Sequence, residues 1–208
     1  MRIIHALWIC LLVSLFPGFA AAQTVYSLDN TAVGAFDTGP FGSVTLTQSS
    51  NNVLVSVALR SDLNFVDTGS HSIFSFNLGG ASSSNDITGI SFASGLGASF
   101  SVASNATNSP FGTFTYGINC DENCKKGGSG GGYVDPLNFT VLQASIADFR
   151  QLSSGGTSAY FAADVINLSG NTGTIGATVA AVPEPESYAM MLGGLGLIGF
   201  VARRRQRK

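Results

Sequence analysis

The chain has 208 residues, 45% of them hydrophobic and only 11% charged, with a formal net charge of −2. Five of its ten basic residues fall in the last six positions, and between residues 23 and 182 only Arg60, Lys125, Lys126 and Arg150 oppose ten carboxylates, a net charge of −6. Displacing counterions from a nucleic acid requires a positive face, so a nucleic-acid partner is excluded.

The chain opens with Arg2, an apolar run over residues 3–16 broken by His5 and Ser14, a Pro17-Gly18 break, and Ala20-Ala21-Ala22. A charged start, an apolar middle and small residues at the end make a secretory signal peptide over residues 1–22. Ala20 and Ala22 supply the small residues of the cleavage site, and the cut is expected before Gln23. A retained span is the alternative, disfavoured by the short apolar run. Cleavage removes His5, Trp8 and Cys10, leaving His71 as the one histidine and Cys120 and Cys124 as the two cysteines.

The part that follows, about 160 residues, is long enough for one domain with its own core. Its Gly, Ser, Thr, Asn, Val and Phe suit strands and turns better than helices. Strands are expected over residues 24–28, 41–48, 53–60, 73–78, 87–92, 98–102, 111–118, 138–143, 159–166 and 174–179. The clearest is 53–60, where Val53, Val55, Val57 and Leu59 recur with the period of two that puts them on one face. Ser49-Ser50-Asn51-Asn52 connects it to its predecessor as a hairpin. Only residues 146–152 suggest a helical turn. Without a βαβ rhythm the fold class is all-β: an antiparallel β-sandwich or jelly-roll body over residues 23–179, flanked by an N-terminal signal helix and a C-terminal transmembrane helix.

Few residues in the body carry chemistry. In an exported chain, Cys120 and Cys124 are expected to form a disulfide closing a five-residue loop and pinning the glycine run that follows. Free thiols and a metal site remain alternatives, but zinc needs two further ligands. Gly127-Gly128-Ser129-Gly130-Gly131 matches the nucleophile-elbow pattern yet lacks the strand-turn-helix setting that pattern needs. Gly194-Leu195-Gly196-Leu197-Ile198-Gly199 resembles a dinucleotide fingerprint but opens no βαβ unit. Nothing places a particular serine beside His71, so a Ser-His-Asp triad has no support and His71 reads as a surface-loop residue. Asp62, Asn64 and Asp67, or Asp121, Glu122 and Asn123, offer oxygens to calcium without the EF-hand spacing. A sugar-binding module wants exposed aromatic platforms; the body after residue 22 has no tryptophan, and its Tyr116, Tyr133 and Tyr160 fit a β core or rim equally well. No catalytic residue, metal site or cofactor is assigned, and the chain is expected not to be an enzyme.

The C-terminal stretch, residues 180–208, begins as a linker and contains Pro183-Glu184-Pro185. Residues 187–202 then carry no charge, and Arg203-Arg204-Arg205 opens a basic end. Sixteen helical residues span roughly 24 Å, the short end for a bilayer core of about 30 Å. The arginines snorkel and hold their side cytoplasmic, and the two prolines keep the helix from starting earlier. The expectation is a transmembrane helix over about 187–202.

On Pro183, Glu184 and Pro185, the glycine-bearing apolar run and the Arg203, Arg204 and Arg205 cluster, this tail resembles the PEP-CTERM sorting signal of Gram-negative bacteria. The same segment is also catalogued as an ice-binding protein C-terminal domain. The resemblance implies exosortase, a membrane cysteine protease cutting near the Pro-Glu-Pro element, and the inner membrane as transient partners. It implies a final place at the cell surface or in the extracellular matrix, in bacteria that make exopolysaccharide. The body is more loosely similar to those of other PEP-CTERM proteins, over Phe65-Val66-Asp67-Thr68-Gly69, Phe74-Ser75-Phe76-Asn77-Leu78, Pro136-Leu137-Asn138-Phe139-Thr140-Val141, Phe161-Ala162-Ala163-Asp164-Val165 and Gly170-Asn171-Thr172-Gly173. The function expected is that of a non-enzymatic surface or matrix protein associated with extracellular polysaccharide. A glycan-binding module on the same anchor is the alternative, and a secreted hydrolase comes third.

Overall fold

The computed structural model describes residues 21–32, 36–69, 71–80, 83–94, 98–127, 131–178, 182–183, 194–195 and 203. Two antiparallel sheets pack on one core, as expected for a β-sandwich. The first sheet holds β1 (Gln23–Leu28), β3 (Gly42–Ser49), β4 (Asn52–Leu59), β7 (Ile87–Phe92), β10 (Leu137–Val141) and β13 (Val182–Pro183), in the order β13-β1-β3-β4-β10-β7. The second holds β2 (Asn30–Thr31), β5 (Leu63–Phe65), β6 (Phe74–Phe76), β8 (Ser99–Thr107), β9 (Thr113–Glu122), β11 (Phe161–Asn167) and β12 (Thr172–Ala177). Its order is β2-β12-β11-β6-β9-β8, with β5 also paired to β11.

Period-two burial explains the first sheet. Val53, Val55, Val57 and Leu59 on β4 point inward, as do Val44 and Leu46 on β3 and Leu137, Phe139 and Val141 on β10. The opposing sheet answers with Phe74, Phe76 and Phe161, and the Phe76–Phe139 rings lie 5.1 Å apart across the core. Aromatic pairs at such spacing add about 0.5 to 1.5 kcal/mol beyond their burial.

β11 departs from alternation because both of its faces are covered. Phe161, Ala163 and Val165 face the main core, while Ala162 joins a second cluster with Ala106, Phe111, Phe114 and Ala159. The segments around Phe111 and Ala159 fold over the outside of the sheet. Ser153 pins them together, its hydroxyl donating to the Phe111 carbonyl at 2.5 Å and accepting from the Ala159 N–H at 2.9 Å.

Several boundaries differ from expectation. β8 continues to Thr107 and β9 to Glu122, so the two form one long hairpin. β2 and β5, of two and three residues, are too short to show a period. The helical turn is a 3₁₀ turn, Ile146–Phe149, whose Asp148 carboxylate accepts from the N–H and hydroxyl of Ser145. Two residues of the expected linker join the first sheet: Val182 opposes Val25 and Pro183 opposes Thr24. An edge position tolerates a proline, which has no N–H to leave unpaired.

The signal helix expected within residues 1–22 and the transmembrane helix expected over about 187–202 fall outside the described residues, apart from Ala21, Ala22 and the helical pair Gly194 and Leu195. Among the described residues no helix is long and apolar enough to cross a membrane.

Candidate functional site

The polar chemistry of the body gathers where the partner of β11 is interrupted. β5 and β6 lie end to end along the same side of β11, β5 opposite Val165 to Asn167 and β6 opposite Phe161 to Ala163. The chain between them loops out, and Asp164 stands at the gap. Its carbonyl accepts from the Val66 N–H and its N–H donates to the Ile73 carbonyl, both at 3.0 Å. Its carboxylate, 1% exposed, accepts from the Thr68 hydroxyl at 2.5 Å and the Thr68 N–H at 3.3 Å. Burial raises the Asp164 pKa, and the Thr68 hydrogen bonds and the field of His71 offset only part of that rise. Asp164 therefore closes the gap in the sheet, and only loosely resembled sequence pointed to it.

The disulfide borders this loop. Cys120, near the end of β9, is bonded to Cys124, with Cα atoms 5.6 Å apart. Tyr133 lies beneath it, fully buried, its hydroxyl donating to Cys120 Sγ at 3.1 Å and accepting from the Lys125 N–H at 2.7 Å. The Tyr133 backbone forms a two-way bridge with Phe65, so the glycine-rich segment is fastened to the sheet at both ends. Burial raises the pKa of its phenol. The ring stacks on Phe92 at 4.9 Å and meets Phe100 edge-on at 5.2 Å.

Most other candidate constellations are not assembled. The carboxylate of Asp67 lies within 4.8 Å of both cysteine sulfurs, but the sulfurs are bonded to each other. Both oxygens of Asp62 are engaged by Arg60, at 2.6 and 2.8 Å. Asp121 accepts from the Ser101 hydroxyl at 2.6 Å and Asp67 from the Gly69 N–H at 2.8 Å, so the carboxylates considered for calcium point to separate local partners. His71 lines a shallow recess of about 180 Å³ with Ser72, Ser104 and Asn119. Among the described residues no hydrogen bond joins His71 to a serine or a carboxylate.

Of the three tyrosines that fit either a sugar platform or the β core, Tyr116 and Tyr133 are buried and cannot present a platform, and Tyr160 is partly exposed. The larger recess, about 430 Å³, is lined by Gln48, Ser50, Asn51, Gln143, Ser145 and Asp148 and carries no aromatic side chain. Gln48 is itself committed: its amide donates to the carbonyls of Ser50, Asn52 and Ala144 and its oxygen accepts from the Ile146 N–H.

The remaining candidate residues lie in the tail. Pro183 is held in β13. Glu184, Pro185, Arg204 and Arg205 lie outside the described residues, and Arg203 is exposed and helical. The molecule is thus a β-sandwich carried on a C-terminal segment of its own composition. Residues 181–206 match the family model of the PEP-CTERM protein-sorting motif, the segment that contains Pro183, Glu184, Pro185 and the three arginines. The motif supports an exported protein sorted and processed by exosortase at the membrane. No curated protein and no solved structure matches the chain.

Proposed function

We propose that this is a non-enzymatic surface or matrix protein, exported, held briefly in the inner membrane by residues 187–202, cut near Pro183, and deployed in an extracellular polysaccharide layer. The observation that carries the reading is the match of residues 181–206 to the sorting motif. The body is consistent with a passive role. Asp164, Gln48 and Ser153 are engaged in closing turns and gaps of the fold. For the glycan-binding alternative, the described residues offer the amide-lined recess around Asn51 and Gln143 and the partly exposed Tyr160.

The test follows the mass of the protein in membrane, surface and medium fractions. The parent should lose both the segment before Gln23 and the segment after the Pro-Glu-Pro element. Pro183→Ala with Glu184→Ala should leave full-length tail in the inner membrane, and deletion of residues 203–208 should misroute uncut protein. Variants reaching the surface at the parental mass refute the sorting reading. Hydrolysis of an ester, peptide or glycan that disappears in His71→Ala refutes the non-enzymatic one.

A further inference from the structure

The first residue of β1 combines an exposed carboxamide with a backbone nitrogen that its sheet does not hold. Gln23 is exposed, whereas Tyr26 and Leu28 further along the strand are buried. Among the described residues no hydrogen bond engages its side-chain amide.

The ladder between β1 and β3 fixes which way the Gln23 backbone faces. The Gln48 N–H donates to the Ala22 carbonyl at 2.9 Å, so Ala22 and Gln48 form a hydrogen-bonded pair. Such pairs alternate with non-hydrogen-bonded ones along an antiparallel ladder. Gln23, opposite Thr47, therefore makes the next, non-hydrogen-bonded pair. Its nitrogen points away from β3, toward the edge on which β13 lies. The described pairing with β13 covers Thr24 and Val25 and stops short of Gln23.

The expected signal-peptide cut, between Ala22 and Gln23, turns this nitrogen into an α-amine on a residue whose own side chain is a carboxamide. We propose that Gln23 is a modification site: after the cut its α-amine closes on its own Cδ, and the mature chain begins with a pyroglutamate. The amine nitrogen forms a bond to Cδ, the bond from Cδ to Nε2 breaks, and Nε2 leaves as ammonia with a proton taken from the amine. The step is an intramolecular substitution and needs no oxidant, cofactor or second substrate. An α-amine titrates at about 8, so a share of it is the free base at neutral pH. Nucleophile and target sit on one residue, which makes the encounter unimolecular, and neither has to be withdrawn from β3. The lactam keeps one N–H on the outward edge and removes the terminal positive charge. It also closes an exported chain to aminopeptidases, which require a free α-amine. The proposal rests on the signal-peptide reading and not on the fate of the tail.

The test is tandem mass spectrometry of the N-terminal tryptic peptide, ending at Arg60, from the full chain recovered in membrane and medium fractions. It is measured at harvest and again after incubation in neutral buffer. The parent peptide should begin at residue 23 and be lighter than its sequence by one ammonia, with the loss placed on that residue. Edman degradation should be blocked until pyroglutamate aminopeptidase removes the ring and exposes Thr24. Gln23→Ser should give an unblocked peptide of full mass. A parent peptide that begins at Gln23 with its full mass at both times overturns the proposal and leaves the cut in place. Loss of ammonia that persists in Gln23→Ser lies on another residue and overturns it as well. A peptide beginning elsewhere, or a chain still carrying Trp8, overturns the cleavage reading, and the proposal falls with it.

Discussion

Asp164 shows how one side chain can close a sheet and still weaken it over part of the pH range. Its carboxyl sits at the interruption between β5 and β6, and desolvation raises its folded pKa above the ordinary 3.8. The folded chain therefore binds this proton more tightly than the unfolded chain does. Stability from this group is complete below the unfolded value and is lost as pH rises through the raised folded one, after which it levels off. Asp62 and Asp86 work the other way, since hydrogen bonds lower their pKa values and their contributions fade in acid. Urea melts from acid to neutral pH, compared between parent and Asp164→Asn, isolate the effect: the difference between the two should narrow in acid and shift in favour of the variant as pH rises. A constant difference would contradict it. The disulfide is the second case at this scale. Closing a five-residue loop is worth about 2 kcal/mol through the unfolded chain, and Cys120 also receives the Tyr133 hydroxyl. Cys120→Ser with Cys124→Ser should therefore lower the urea-derived stability by about 2 kcal/mol, and an unchanged midpoint and slope would show that the bridge does not hold the glycine-rich segment.

β11 brings out a different kind of constraint, because the element is sandwiched on both faces. Phe111 reaches over the outer face and lies against Gly176 of β12, where an added Cβ would come within 2.8 Å of the ring. Gly176→Ala should cost about 1 to 3 kcal/mol by overpacking. Phe111→Leu, which withdraws the ring, should recover part of that loss. A double-mutant cycle in urea should thus be non-additive; strictly additive losses would mean that the ring moves aside freely. The same element marks where sequence reasoning stopped. β4 was legible because Val53, Val55, Val57 and Leu59 face one core while the residues between them face away from it. β11 reads Phe-Ala-Ala-Asp-Val-Ile with no alternation, since a strand buried on both sides has no polar face to reveal its period. Its acid looks like a break and is instead the link to Thr68. Leu63–Phe65 is too short to show a pattern, and nothing local indicates that it continues the row begun by Phe74–Phe76. Of the candidate site, the cysteine pairing was legible from export and a lack of other partners. The burial of Tyr133 was not, because it depends on Phe65, Phe92 and Phe100, which are distant in the chain.

At the scale of the whole molecule, the two ends of the body come together. β1 begins at Gln23, and the antiparallel register places Pro183 opposite Thr24 and Val182 opposite Val25. The chain therefore enters the body and leaves it toward the tail at the same end of the same edge. The Ala22 carbonyl already accepts from the Gln48 N–H at 2.9 Å, so the sheet begins beside the expected signal cleavage site. The consequence concerns access to the sorting motif. A protease reads its substrate as an extended strand with free backbone groups, and the same groups are shared with β1 while Val182–Pro183 remain paired. The proposed cut near Pro183 then requires this short pairing to open, which two residues at an edge do at little cost. Val25→Cys with Val182→Cys, directly opposed in the register, would lock it shut. In cells the locked chain should accumulate at full tail length in the inner membrane. Each single cysteine variant should be processed like the parent, and growth under mild reductant should restore processing of the pair. The bridge is verified by mass before and after reduction. A bridged chain cut as fast as the parent would show that the body does not control access to its own sorting motif.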